Sequence, residues 1–166
     1  MSAEATEAVG HLCTHITSRL VFRAIRDVFK KMQLIVTGGI TNGYKRALTT
    51  VESVNNSMQI ASRFVLSEEC DVADEFKQAY LDAQKEDIVL TSSPVGMPGR
   101  ALATPFVASK NDGEDFTTKT CVNRCLKKCD HHYCISERLM AARDGDIEKG
   151  LFFAGANTYK MNEILP

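Results

Sequence analysis

The sequence predicts an α/β protein built on parallel strands, and three observations carry this. Residues 15–31 place Ile16, Leu20, Ala24, Val28 and Phe29 at helical spacing, giving an apolar face. Met32 to Val36 is a short apolar run that stops at Thr37-Gly38-Gly39. A second apolar run, MQIASRFV over residues 58–65, follows one helix-length segment later. Strand, turn, helix, strand is a βαβ unit. Its crossover makes the strands parallel and puts the functional loops at their carboxyl ends.

The elements follow in order. The run at 32–37 reads as a buried parallel strand closed by a tight glycine turn. Asn42-Gly43 is a further turn, and Tyr44 to Val54 is expected to be helical. Ser67, Glu69 and Asp71 suggest a capped entry into a helix that presents Phe76, Tyr80 and Ala83 on one face. Ile88 to Val107 holds β-branched residues, two turn signals and three of the four prolines, and reads as a strand with an irregular segment. KNDGEDFTTK is a polar loop, and residues 134–149 form a helix with Asp144-Gly145-Asp146 as a break or cap. The ending GLFFAGANTYKMNEILP predicts an apolar start, a glycine turn and a last helix.

The gross numbers exclude several classes. A chain of 166 residues suits one domain with a real core, and 44% hydrophobic with 25% charged residues is a globular composition. The net charge of −1 gives no electrostatic footprint for nucleic acid or an anionic membrane. No apolar run approaches the roughly 20 residues that span a bilayer. The start, MSAEATEAVG, lacks the basic and apolar regions of a signal peptide, so a cytoplasmic protein is expected.

Cys121, Cys125, Cys129 and Cys134 have spacing C-x3-C-x3-C-x4-C beside His131 and His132. On a helix the first three would share a face, and four ligands for zinc or an iron–sulfur cluster are conceivable. The spacing matches neither common zinc sites nor ferredoxin runs. Packed free thiols are the better reading, and no metal is expected.

Four motifs in order carry a resemblance: EAVGH (Glu7–His11), VTGGITNG (Val36–Gly43), IASRFVLSEECD (Ile60–Asp71) and DIVLTSSPVGMPGRAL (Asp87–Leu102). Together they resemble the C-terminal half of the nitronate monooxygenase family, formerly the 2-nitropropane dioxygenases. Flavin-dependent enoyl-acyl-carrier-protein reductases are relatives with similar motifs. The tail from Cys121 is similar to the ending of a bacterial branch of these NAD(P)H-dependent flavin oxidoreductases.

The resemblance implies the C-terminal part of an FMN-binding (β/α)8 TIM-type barrel with its small covering domain. On that pattern residues 1–66 are the last βα units, 67–120 the covering segment, and 121–166 a Cys-rich tail that packs back on the barrel. His11 matches the histidine that faces the flavin as base or substrate-orienting group, a role suited to an imidazole titrating near neutrality. Gly10 would let the backbone approach the flavin ring. Gly38 and Gly39 match the glycines whose N–H groups hold the FMN phosphate; bare N–H donors and a helix start favour an anion there. Ser62 matches a threonine of the second phosphate loop, whose hydroxyl can still donate. Ala61 stands beside it, and Gln59 lies on the strand leading in. Arg100 is either a structural arginine or a substrate or nicotinamide contact.

Val9 and Ala61 stand where the family pattern has glycine, and Val54 and Ser57 also replace glycines. If Ala61 needs positive φ, strain of about 1 kcal/mol or more follows. These changes imply a weaker hold on flavin. Three functions are therefore carried. The first is an FMN-dependent oxidation of nitronates or nitroalkanes with O2. The second is an NAD(P)H-dependent enoyl-thioester reduction. The third is a non-catalytic remnant or interaction module. A homo-oligomer or a complementing N-terminal half would supply the remaining strands.

Overall fold

The computed structural model describes residues 2–4, 6–12, 16–41, 57–118, 121, 125–127 and 129–166. The helix expected at 44–54 lies outside them. The described residues form two three-stranded sheets.

The first sheet is parallel. Strand β1 (Ser2–Glu4) pairs with β3 (Ile35–Thr37), and β3 pairs with β4 (Ser57–Gln59), with Thr37 in register with Glu4 and Gln59. The βαβ reading thus gains its two adjacent parallel strands, plus β1, which is too short and polar to announce itself. The second apolar run is not one strand. It ends at Gln59, and Ser62–Val65 turn into a short helix, α2. Its apolar residues, Val65 and Leu66, pack on the core from that turn.

Helix α1 (Ser18–Val28) forms, but its expected apolar face does not pack. Phe22 and the half-buried Ile25 contact Leu34, while Ile16, Leu20 and Val28 are 51%, 60% and 72% exposed. The helix is apolar on two sides, and the side bearing the aromatic ring is the one buried.

The second sheet is antiparallel, in the order β2 (Gly10–His11), β6 (Pro98–Leu102), β5 (Ile88–Ser92). The expected strand and irregular segment are therefore a hairpin, paired from Ile88↔Leu102 to Ser92↔Pro98. The prolines do not prevent pairing because Pro98 begins its strand and Pro94 sits in the connecting loop. The third, Pro105, starts helix α4 (Pro105–Asn111), where its missing N–H costs nothing, and the Thr104 side chain caps it by accepting from Val107 N–H.

Helix α3 (Asp74–Asp82) is entered at Ala73, with Asp74 and Glu75 in its first turn, so Ser67 is not its cap. Ser67 Oγ instead donates to the Phe64 carbonyl. The expected face holds: Tyr80 and Ala83 are buried, with Phe76 against them. Helix α5 (Ile135–Arg143) stops where Asp144-Gly145 turns the chain, Gly145 taking φ +85°. The expected last helix is only one 3₁₀ turn, Thr158–Lys160.

The first core cluster joins Leu66, Tyr80, Leu102, Phe152 and Met161; the second joins Phe106, Val107, Tyr133 and Leu151. The tail stitches the sheets together: Leu102 N–H donates to Phe152, Ala154 N–H to Arg100, and Leu165 N–H to Leu66. Cys121, Cys125 and Cys129 do not lie on a helix, contrary to the shared-face expectation, and among the described residues none of these three or Cys134 is in a disulfide. Among the described residues no three His, Cys, Asp or Glu side chains gather as metal ligands. No helix of the described residues is long and apolar enough to cross a membrane.

Candidate active site

His11 is held at the seam between β2 and the hairpin. It lies opposite Gly99, and Gly10 opposite Arg100. Gly10 takes φ +83°, a left-handed conformation that glycine adopts without a Cβ penalty, and the space on its Cβ side is open within 4 Å. Leu12 N–H donates to the Pro98 carbonyl at 2.8 Å and continues the seam.

The imidazole has two neighbours. Nε2 lies 2.7 Å from Ser93 Oγ in the hairpin loop. The ring meets Phe153 edge to face, centroids 5.0 Å apart at 61°. Gly99 makes room for Phe153: a Cβ there would lie 2.6 Å from Phe153 Cε1. The buried Tyr80 hydroxyl donates to the Phe153 carbonyl and fixes that residue from helix α3. Partial burial lowers the pKa of His11 below the ordinary imidazole value, so the ring is neutral at pH 7.

Tyr133 Oη donates to the Ser92 carbonyl at 3.2 Å, beside this pair. Burial pushes the phenol up to about 12, so it keeps its proton. Ser93 Oγ also accepts from Val95 N–H at 3.5 Å. The Ser93 hydroxyl can accept from His11 Nε2–H or donate to a bare Nε2, according to the tautomer. With the ring proton on Nε2, the Nδ1 lone pair is the one left to accept a proton.

Ser93 also lines an open cleft of about 510 Å³ with Leu90, Ser92, Met97, Pro98 and His132. The His11 pair therefore stands beside a space large enough for a small substrate.

The glycine loops lie next to this seam. Because β3 and β4 run parallel in register, Gly38 and Ala61 leave neighbouring carboxyl ends. Gly38 and Gly39 both have left-handed backbones, φ +98° and +74°. A Cβ on Gly38 would meet Ala8 N at 2.8 Å, and one on Gly39 would meet Glu7 Cβ at 2.8 Å. The loop from β1 to β2 is thus laid directly on the glycine turn. Ser62 is buried, and Gln59 is exposed at the end of β4. Ala61 has φ −123°, so the alanine carries none of the left-handed strain its replacement of a glycine suggested. Gly155 touches both regions: its Cβ position lies 2.9 Å from Ser62 Oγ and 3.3 Å from Val9 Cγ2.

Arg100 ties the hairpin to the β1–β2 loop. Nη2 donates to the Thr6 carbonyl at 2.8 Å and to Thr6 Oγ1 at 3.3 Å. Burial lowers its pKa, with the Glu7 charge opposing. The structure thus lays the segment leading into Gly10 and His11 on Gly38 and Gly39, with Ser62 reached across Gly155. Ser93 and Phe153 flank the His11 ring, and Asn157 meets the Gly39 carbonyl. In sequence Ser93 reads only as part of a turn, and Tyr133 follows two histidines that draw attention elsewhere.

The fold and this geometry define an α/β protein with a glycine turn at parallel strand ends beside a partly buried histidine. The nitronate monooxygenase family profile matches residues 3–166, and the chain belongs to that family. Among solved structures it is similar to FabK from Thermotoga maritima, with a TM-score of 0.78 and 26% identity over 99% of this chain and 49% of that one. It is also similar to nitroalkane oxidase from Streptomyces ansochromogenes, with a TM-score of 0.73 and 21% identity over 99% of this chain and 47% of that one, a likeness of fold alone. The chain spans about half the length of these structures. A comparison with curated proteins found no match.

Proposed function

We propose that the chain is the catalytic-loop portion of an FMN-dependent oxidoreductase that oxidises nitronates or nitroalkanes with O2. The observation that carries this reading is the His11 Nε2–Ser93 Oγ bond of 2.7 Å beside the open cleft; we assign the ring proton to Nε2, so that Nδ1 is the base. Its parallel sheet is then the C-terminal part of a (β/α)8 barrel.

The residues fit the phosphate end of an FMN. Two successive left-handed glycines follow a parallel strand, and a buried serine hydroxyl lies at the neighbouring strand end. Gly38, Gly39 and Ser62 would hold the phosphate through N–H and O–H donors. Ala61 and Gln59 flank it, and the open side of Gly10 would face the ring system. Bound FMN would supply electron transfer between the nitronate and O2.

The chain's own residues handle the proton. His11 Nδ1 accepts the α-proton of a neutral nitroalkane. The imidazolium so formed keeps its Nε2–H on Ser93 and offers Nδ1–H to the nitronate oxygen. Ser93 holds Nε2, and Phe153 packs edge to face against the ring.

The small molecule is expected to meet a second wall. Among the described residues β1 and β4 end the first sheet with no further strand, and these edges with the exposed Ile16, Leu20 and Val28 stripe suit further β/α units, supplied by a complementing N-terminal half. NAD(P)H-dependent reduction of an enoyl thioester is the second reading, favoured by the higher identity to FabK, 26% against 21%. Purified protein loaded with FMN separates the two. The first reading requires O2 uptake and nitrite release from a nitronate; the second requires NAD(P)H consumption with an enoyl thioester and none with a nitronate.

A further inference from the structure

The tail crosses both glycine loops as a strap. Ala156 N–H donates to the Glu7 carbonyl at 3.2 Å. Asn157 Nδ2 donates to the Gly39 carbonyl at 2.7 Å, and Lys160 Nζ donates to Asn157 Oδ1 at 2.6 Å. An ammonium has no lone pair, so the Asn157 oxygen must face Lys160 and its NH2 must face Gly39. The amide is thereby oriented without ambiguity.

Capturing the Gly39 carbonyl has a geometric consequence. The peptide is planar and trans, so the Ile40 N–H points opposite to the carbonyl that Asn157 holds, away from the strap. Glycine at φ +74° would otherwise let this peptide rotate freely. Lys160 adds charge: among the described residues its ammonium makes no ion pair, and it is half-buried over the Tyr159 ring at 5.0 Å. The nearby carboxylate of Glu7 is felt by the Arg100 guanidinium.

The geometry points to Asn157 and Lys160 as residues of an anion site for a phosphomonoester, Asn157 presetting the Gly39–Ile40 peptide and Lys160 supplying a positive field. This rests on the flavin reading in naming the phosphomonoester as that of FMN. Lys160 acts through Asn157 and is a positioning and field-setting residue; neither takes part in proton transfer.

The test compares FMN with riboflavin, which lacks the phosphate, by flavin fluorescence titration of the full chain. Wild type should prefer FMN at least tenfold, and added salt should erode that preference. Lys160→Gln, which keeps a donor for Asn157, should reduce the preference about threefold to tenfold and leave riboflavin affinity unchanged. Asn157→Ala should reduce it about tenfold. Equal losses for both flavins, or no loss in either variant, would overturn the inference. If wild type binds neither flavin, the flavin reading fails by itself, and inorganic phosphate becomes the probe. A rise in melting temperature with phosphate in wild type but not in Lys160→Gln supports the anion site; the same response in both, or in neither, overturns it.

Discussion

His11 Nε2 and Ser93 Oγ lie 2.7 Å apart although 82 residues separate them in the chain. One residue comes from a two-residue strand and the other from a hairpin loop, and pairing of β2 with β6 brings them together. On the proposed reading that bond occupies Nε2 and leaves Nδ1 as the base.

Ser93→Ala should lower turnover of a neutral nitroalkane about fivefold, the effect of losing one neutral hydrogen bond of about 1 kcal/mol. Turnover of a preformed nitronate should change little, because no proton has to be removed. Ser93→Thr keeps the hydroxyl and should restore most of the activity. Steady-state kinetics with both substrate forms checks this.

Tyr133→Phe should destabilise the fold by about 1 kcal/mol, since it removes the phenol's part-buried hydrogen bond to the carbonyl of the exposed Ser92. Chemical denaturation should show the loss as a lower midpoint with an unchanged slope.

Gly99→Ala should cost about 1–3 kcal/mol by overpacking, because its Cβ would fall 2.6 Å from Phe153 Cε1. The ring must then move off His11, so nitroalkane turnover should fall along with the melting temperature.

The folded-state pKa of His11 is depressed by burial, so the unfolded chain binds the extra proton more readily. Its contribution to stability is therefore fully present above the ordinary imidazole value near 6.5 and is lost as pH falls through and below it. Melting temperature between about pH 7.5 and 5 should decline less in His11→Asn than in wild type.

Much of this was legible locally. The glycine turn and the buried Tyr80 face are short-range patterns and formed as read; the strand ending at Thr37 formed too, but only over Ile35–Thr37 and with Ile35 exposed where a buried strand was expected. The misses have physical causes. Residues 58–65 are apolar throughout, a pattern that does not distinguish a strand from a strand that turns into a helix. Helix α1 carries apolar residues on two sides, and periodicity cannot say which side finds a partner. Ser93, Tyr133 and Asn157 act through contacts across the chain, so nothing adjacent to them in sequence signals their partners. The motif residues Gly10, His11, Gly38 and Gly39 could be named through the resemblance of EAVGH and VTGGITNG to the family, since alone each reads as an ordinary turn or surface residue.

The central claim is that His11 removes a proton at a flavin site. The most direct measurement is turnover by FMN-loaded His11→Asn with a neutral nitroalkane and, separately, with its preformed nitronate. A complementing N-terminal half is included in both assays. The expected result is loss of at least about a hundredfold with the neutral substrate, the usual scale of general-base catalysis, and near wild-type turnover with the nitronate. Equal turnover of the neutral nitroalkane by wild type and His11→Asn would contradict the account.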